Sequence, residues 1–418
     1  MNKVRDFTLE PGTRVTSDPR TVIDDPDIDI VVEVIGGTGS PARDLVMDSG
    51  RAGKAVVTAN KALLADSLPE LRKVFNSRKR ALGYEASVAG GVPIIRVLQQ
   101  SILPDSVTSI QGILNGTTNF ILSGMAGGGK SYAQVLQEAQ RAGFAETDPT
   151  ADVEGHDARN KLVLLTQLAY GLWVPPAAVR TVGITGITPF DVAAAASAGY
   201  AIKLLGVSTL FDPPSRATAD SSSSLEKSSS EEEVAPKAQR KLLLDMFVSP
   251  TLVPLSSPLG STGGAGNLVQ VDSQALGRTS YGGAGAGREP TANSVLADLV
   301  GIARGCMSGR PFPRPPPARV GLSIRQSTAL RREMFVRGPA AVTNLLSVAL
   351  WRQGRTFSPC NIEGEGGGDT IKAFRVHASY GELQSLISRA ASKVAKSGGQ
   401  EEVDAVVQQV AVYPVMSE

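Results

Sequence analysis

The first strong signal along the chain is a continuous apolar run. Ile28, Ile30, Val31, Val32, Val34 and Ile35 lie between an Asp-Pro pair and Gly36-Gly37. Such a run, bounded by turn residues, predicts a buried strand of a parallel sheet. SPARDLVMDSGRAG then predicts a helix, with Pro41 in its first turn and glycines at its close. KAVVTANK predicts the next strand, ALLADSLPELRKVFNSRK the next helix, and ALGYEASVAGGVPII a strand passing into a loop. Strand and helix alternate, which predicts parallel βαβ units.

From about residue 93 the pattern changes. VPIIRVLQQSI predicts a helix, VTSIQGILN a strand, SYAQVLQEAQRAG an amphipathic helix closed by Gly143, and residues 158–171 a further helix. YAIKLLGVSTLF and SPTLVPL carry strand signals on either side of residues 212–240, a Ser/Glu/Lys stretch with almost nothing to bury. That stretch predicts a disordered insertion hanging from a loop between strands. YGGAGAGREPTANSVLADLVGIARG predicts a glycine-rich turn entering a helix, and RPFPRPPPARVG a proline-rich linker. The remainder reads strand–helix–strand–strand–helix–strand, with AVVQQVAVYPV as the last strand, which is the ferredoxin-like order.

Length and charge narrow the function classes. The 418 residues suffice for about two or three domains. The 42 basic and 40 acidic side chains nearly cancel, so bulk electrostatics offers no case for a nucleic-acid partner. Cys306 and Cys360 are the only cysteines, which excludes a disulfide framework and a structural zinc site. His156 and His377 are the only histidines, which disfavours a multi-histidine metal centre. No apolar run approaches the roughly 20 residues that span a bilayer, so no membrane partner is expected. The opening MNKVRDFTLEPG lacks the apolar core of a signal peptide and carries acids that transit peptides avoid, so a soluble chain is expected.

Several stretches invite chemistry. GMAGGGKS, residues 124–131, matches the phosphate-loop pattern, which needs a strand before it and a helix after it. NFILS is too short for that strand, and no apolar strand ending in Asp stands nearby for magnesium, so the segment reads as a turn. GGAGAGREP, residues 282–290, opens a helix without dinucleotide spacing; Gly285 and Gly287 let backbone approach a ligand, or simply turn the chain. TANK, residues 58–61, ends a predicted parallel strand, where open α/β sheets bind ligands, although a solvated surface lysine is the plainer reading of Lys61. AETDPTADVEGHDARNK, residues 145–161, gathers ionisable groups at the mouth of an apolar helix. Asp157 and Lys161 are four apart and share one helical face, which an ordinary helix-start ion pair would explain. The sharper reading is that Glu146, Asp148, Asp152, Glu154 and Asp157 converge on one polar site. There, carboxylates would hold a substrate ammonium, and the lysine would aim an N–H acid at a reacting oxygen.

Taken in order, DIDIVVEVIGG, TANK, GYEASVAGGVPII, GILNGTTNFILSGM, AGFAETDPTADVEGHDARNKL and GAGAGREPTANSVLADL resemble the motifs of the homoserine dehydrogenase family over about residues 15–308. The tail resembles, more loosely, the ACT regulatory domain of many members. The resemblance implies NAD(P)-dependent interconversion of L-homoserine and L-aspartate 4-semialdehyde, on the route to threonine and methionine. It implies Lys161 as the catalytic acid/base. It implies substrate contacts at Glu146, Asp157, Asp152, the Gly143 backbone and Lys61, and cofactor contacts at Ile35, Gly36, Gly37, Thr58, Lys61, Gly285 and Gly287. Glu85, Val88, Gly90 and Val92 match a sodium-binding loop. A threonine effector at the ACT-like tail and a homodimer or homotetramer are implied by the same resemblance.

The expected fold is therefore α/β. Residues 1–92, completed by 283–308, form a truncated Rossmann-type NAD(P)-binding domain. Residues 93–282 form an α+β catalytic and dimerisation domain, 309–328 a linker, and 329–418 the ferredoxin-like ACT domain. Relatives begin with a strand, a glycine turn and a helix that cradle the pyrophosphate, and these are not seen here. A part upstream of Met1 is expected, which leaves NADH against NADPH preference, and cytoplasm against plastid, open. The alternative reading is a truncated, non-catalytic relative that serves as a regulatory or dimerisation module.

Overall fold

The computed structural model describes residues 8–211, 243–307, 323–324, 331–366, 369–395 and 400–416. The expected insertion at 212–240 and most of the expected linker at 309–328 lie outside the described residues. The chain divides into two compact units, Met1–Tyr84 with Val295–Phe312, and Glu85–Ser294 with Pro313–Glu418.

The first unit is built on a parallel sheet of β1 (Ile30–Glu33), β2 (Ala55–Thr58) and β3 (Leu82–Gly83), in that spatial order. Helices α1 (Ala42–Arg51) and α2 (Lys61–Arg78) make the crossovers, as the alternation predicts. Val46, Val56, Val57, Leu63, Leu64, Leu71, Phe75 and Leu82 are buried and supply the core. β1 departs from the expectation of a fully buried strand. Val31 and Glu33 are buried, but Val32 is 40% exposed, and beyond the strand Val34 and Ile35 are exposed. Among the described residues β1 has one strand neighbour, β2, so no strand pairs with its other edge there.

The second unit opens with Ile94–Arg96 and a wider π-helical turn at Val97–Ser101, where VPIIRVLQQSI predicts one helix. β4 (Val107–Ile113) follows, then α3 (Gly116–Ala126), α4 (Tyr132–Arg141), the short α5 (Thr150–Val153) and α6 (His156–Tyr170). β5 (Arg180–Thr181), α7 (Pro189–Ser197), β6 (Tyr200–Phe211), β7 (Leu243–Pro254), β8 (Gly266–Ser273) and β9 (Gly277–Ala284) come next. β10 (Ser323–Ile324) completes this part, while α8 (Arg288–Ala303) begins in it and belongs to the first unit from Val295 onward. The sheet runs β10-β7-β6-β4-β8-β9, with β5 beside β7, and its central pairings are antiparallel. Ile113, Leu205, Val207, Phe247, Val253 and Leu268 pack together, and the apolar run Leu162–Leu165 of α6 is buried against the sheet.

The sequence predicts no element for most of GTTNFILSGMA, and a turn over part of what the structure shows as strand β9. GTTNFILSGMA reads poorly as a helix, because glycines and β-branched threonines depress helix propensity. It nevertheless forms α3, and Gly116 is required because a Cβ there would lie 2.7 Å from the Ala265 carbonyl. The glycine-rich stretch 277–284 is strand β9 along its whole length, held by β8, so the turn is confined to Gly285–Gly287.

The last module comprises β11 (Arg331–Pro339), α9 (Ala340–Arg352), β12 (Phe357–Gly366), β13 (Asp369–Ser379), α10 (Tyr380–Val394), α11 (Gln400–Gln408) and β14 (Ala411–Pro414). Its antiparallel sheet runs β14-β11-β13-β12, the ferredoxin-like order. AVVQQ, expected to open the last strand, belongs to α11 instead, leaving a four-residue strand. Met334, Val336, Leu346, Phe374, Val376, Leu383 and Ile387 form its core. The module is tied to the rest of its unit by arginines. Arg337 grips the buried Asp191 carboxylate through Nε at 2.6 Å and Nη2 at 3.0 Å. Arg332 pairs with Asp245, Arg375 donates to the Tyr200 hydroxyl at 3.0 Å, and Arg180 stacks over the Tyr380 ring. Among the described residues no helix is long and apolar enough to cross a membrane.

Candidate active site

In the first unit, chemistry-bearing residues gather at the carboxyl ends of β1 and β2. Glu33, the last residue of β1, is fully buried. Its Oε1 accepts the Ile35 and Gly36 amides at 2.7 and 3.0 Å, and its Oε2 accepts the Thr58 hydroxyl at 2.6 Å. Asn60 caps α2 by accepting from the Leu63 amide at 3.1 Å, and its Nδ2 donates to the Gly37 carbonyl at 2.8 Å. Lys61 opens α2 directly after that cap. Gly36 and Gly37 have φ of +87° and +84°, with open space where a side chain would stand. Consecutive left-handed residues leave backbone bare for close approach by a ligand. Ile35, Gly36, Gly37 and Thr58 thus share one rim. Glu33 and Asn60, which knit it, escape a reading from periodicity because each also bonds a residue more than twenty positions away, Thr58 and Gly37.

In the second unit, α5 and α6 bring two of the five clustered acids together. Asp157 sits in the first turn of α6 with Lys161 one turn on, both buried. The Lys161 ammonium lies 2.7 Å from Asp157 Oδ2 and donates to the Leu114 carbonyl at 2.8 Å. Asn115 donates from one nitrogen to Asp152 Oδ1 at 2.7 Å and to Asp157 Oδ2 at 2.9 Å. The same side chain caps α3, accepting from the Thr118 amide at 2.8 Å. A buried ammonium with two of its three N–H groups fixed retains one donor.

The other acids do not join this cluster. Asp148 caps the start of α5 through the Thr150 amide and hydroxyl, and the Thr150 hydroxyl holds its carboxyl below the usual range. Glu154 accepts from the Thr185 hydroxyl at 3.0 Å. The Glu146 carboxylate is exposed and makes no hydrogen bond or ion pair among the described residues. Its loop is nonetheless anchored. Gly143 closes α4 with φ +77°, and the Thr117 hydroxyl donates to the Phe144 carbonyl at 2.7 Å. GMAGGGKS lies between two helices, not after a strand. Ser131 is spent as the N-cap of α4, and Lys130 pairs with Glu138 at 2.8 Å.

A second pair of loops meets in this unit. Val88, Gly90 and Val92 are buried, Ala89 and Gly90 are left-handed, and the Gly90 carbonyl accepts the Ser294 hydroxyl at 2.7 Å. The Gly91 amide donates to the Ala284 carbonyl at 3.0 Å, beside Gly285. Gly287, at φ +121°, ends that loop ahead of α8. The Glu85 carboxylate is committed to the Ile95 and Arg96 amides at 2.9 and 2.8 Å. Among the described residues no three His, Cys, Asp or Glu side chains are grouped to hold a metal.

Comparison with known proteins places these features in one context. A family model described as homoserine dehydrogenase matches residues 93–300, and a second, described as the NAD-binding domain of homoserine dehydrogenase, matches residues 4–85. The homoserine dehydrogenase of Corynebacterium glutamicum is 42% identical over 295 residues, covering 71% of this chain and 61% of that protein. That of Mycobacterium tuberculosis H37Rv is 42% identical over 314 residues, covering 74% of this chain and 66% of that protein. The chain therefore spans 61–66% of the length of these curated relatives. The crystal structure of a homoserine dehydrogenase from Thiobacillus denitrificans aligns with a TM-score of 0.75 at 33% identity, covering 97% of this chain and 86% of that one.

Proposed function

This chain belongs to the homoserine dehydrogenase family, and from that premise we propose that it interconverts L-homoserine and L-aspartate 4-semialdehyde with NAD(H) or NADP(H), on the route to threonine and methionine. The observation that carries the reading is the Lys161 ammonium, buried, held by Asp157 and the Leu114 carbonyl, with one N–H to spare. In the reducing direction the aldehyde oxygen gains alkoxide character, and Lys161 stabilises it and delivers the proton. In the oxidising direction the neutral amine form of Lys161, the state left by that proton delivery, takes the hydroxyl proton. Asp152 and Asp157 hold the substrate ammonium, and the Gly143 backbone and Glu146 close over it from the anchored loop.

The rim of Ile35, Gly36, Gly37 and Thr58 fits a nicotinamide cofactor, because its left-handed glycines present bare backbone and Glu33 fixes its shape. A bound nicotinamide supplies or accepts the hydride. Lys61 adds to this rim from the start of α2, and within the second unit Gly285 and Gly287 are proposed as cofactor contacts in their own right. The loop holding Glu85, Val88, Gly90 and Val92 fits a sodium ion through main-chain oxygens, since the Glu85 carboxylate is already committed to amides and neutral carbonyls suit a monovalent hard cation. The strand order of residues 331–414 supports an ACT-type module that takes a threonine effector. The exposed Trp351 and Val348 of α9 support a dimer or tetramer.

The test is Lys161→Ala, assayed with L-homoserine and either nicotinamide coenzyme. We expect kcat to fall about 10²–10⁴-fold, the contribution of a positioned general acid, with circular dichroism unchanged. A fully active variant refutes the role.

A further inference from the structure

Asn115, between β4 and α3, uses both ends of its amide. Its oxygen caps α3 at the Thr118 amide, 2.8 Å away. Any good N-cap side chain can do that, and serine, threonine or aspartate would serve. What only asparagine adds among these caps is an NH₂ with two protons to give. Here they go to carboxylates of two different elements, Asp152 of α5 at 2.7 Å and Asp157 of α6 at 2.9 Å.

We propose that Asn115 is a positioning residue that holds Asp152 and Asp157 side by side as a single ammonium-binding pair. The inference rests on the reading of this site as a homoserine pocket. Two like charges facing one nitrogen repel each other; the Lys161 ammonium offsets part of that repulsion at Asp157, and the shared amide donor is what bridges Asp157 to Asp152 until a substrate ammonium arrives. Lys161 shares Asp157 Oδ2 with the amide, but its main-chain anchor, the Leu114 carbonyl, is independent of it. Loss of the amide therefore weakens substrate binding far more than it weakens proton transfer.

Asn115→Ser and Asn115→Thr separate this role from helix capping, because both keep a cap acceptor and lack the NH₂ group. Their hydroxyls are too short to reach both acids. With the full chain, we expect KM for L-homoserine to rise about tenfold or more, the equivalent of a lost charge-assisted hydrogen bond. We expect kcat to stay within about threefold, and the melting temperature to fall less than in Asn115→Ala, because the helix cap is kept. Asn115→Ala removes cap and donors together, so it should lower the melting temperature as well as raise KM. If the serine and threonine variants keep the parent KM and kcat, Asn115 is only a helix cap; if they lose kcat and not KM, it acts on proton transfer instead; either result overturns the inference. A parent protein that neither binds nor turns over L-homoserine overturns the proposed function, and this inference with it.

Discussion

Lys203 offers a test of buried charge that does not depend on catalysis. It lies in β6, 4% exposed, with Nζ donating to Asn119 Oδ1 at 3.0 Å and to the Thr262 carbonyl at 2.6 Å. No carboxylate pairs with it among the described residues, and it borders a cavity of about 300 Å³ lined by Leu122, Ala126, Val192 and Ile202. Burial pushes its pKa from 10.5 down to about 8. That drop corresponds to about 3 kcal/mol, carried as a penalty on the folded state wherever the amine must be protonated. The sign follows from proton counting. Between the folded value near 8 and the unfolded value near 10.5, the unfolded chain binds more protons, so stability rises with pH in that window. Lys203→Met removes the titration and keeps the volume. It also strips a donor from Asn119 and Thr262, a cost that does not vary with pH. In urea unfolding at a series of pH values, the parent should gain on the variant by about 1.4 kcal/mol per pH unit above pH ~8, and not at all below about pH 7. Burial also raises Tyr170 and Tyr413, but they titrate in both proteins and drop out of the difference. Parallel stability curves from about pH 7 to 10 would refute the reasoning, since the ammonium would then be no worse solvated folded than unfolded.

Two further predictions concern packing. Arg337→Met leaves the fully buried Asp191 carboxylate with only its Thr188 partners, so unfolding should become easier by about 3–5 kcal/mol, and adding Asp191→Asn should recover part of the loss. A thermal midpoint that does not move would show that the ion pair does not hold the module in place. Gly285→Ala would drive a Cβ onto the Asn267 amide, whose nitrogen and oxygen have no hydrogen-bond partner among the described residues. It should cost about 1–3 kcal/mol in denaturant unfolding, and Asn267→Ala in the same chain should relieve it. An additive double variant would place the conflict elsewhere.

What could be read from the sequence divides by the range over which a residue acts. The parallel βαβ alternation of the first unit was legible, because runs of valine and isoleucine between turn residues carry their own signal. So was the pairing of Asp157 with Lys161, because a spacing of four fixes a shared helical face. The burial of β1 was not, because burial depends on which strand lies alongside. Nor was α3, whose glycines and threonines argue against a helix until Asn115 caps it and Ala265 crowds Gly116. The clustered acids at 146–157 mislead for a related reason. Asp148 and Glu154 are consumed by local capping and by Thr185, and only Asp152 and Asp157 are gathered. The residue that gathers them lies 42 positions before Asp157, just as Glu33 lies 25 before Thr58. No helical or strand period reaches that far. The groups that do chemistry are thus visible as local patterns, while those that aim them become visible only when two distant turns close on one side chain. One of these side chains is the last residue of its strand and the other follows its strand by two positions, which makes the polar residues at the carboxyl end of a strand the places to look for aiming groups.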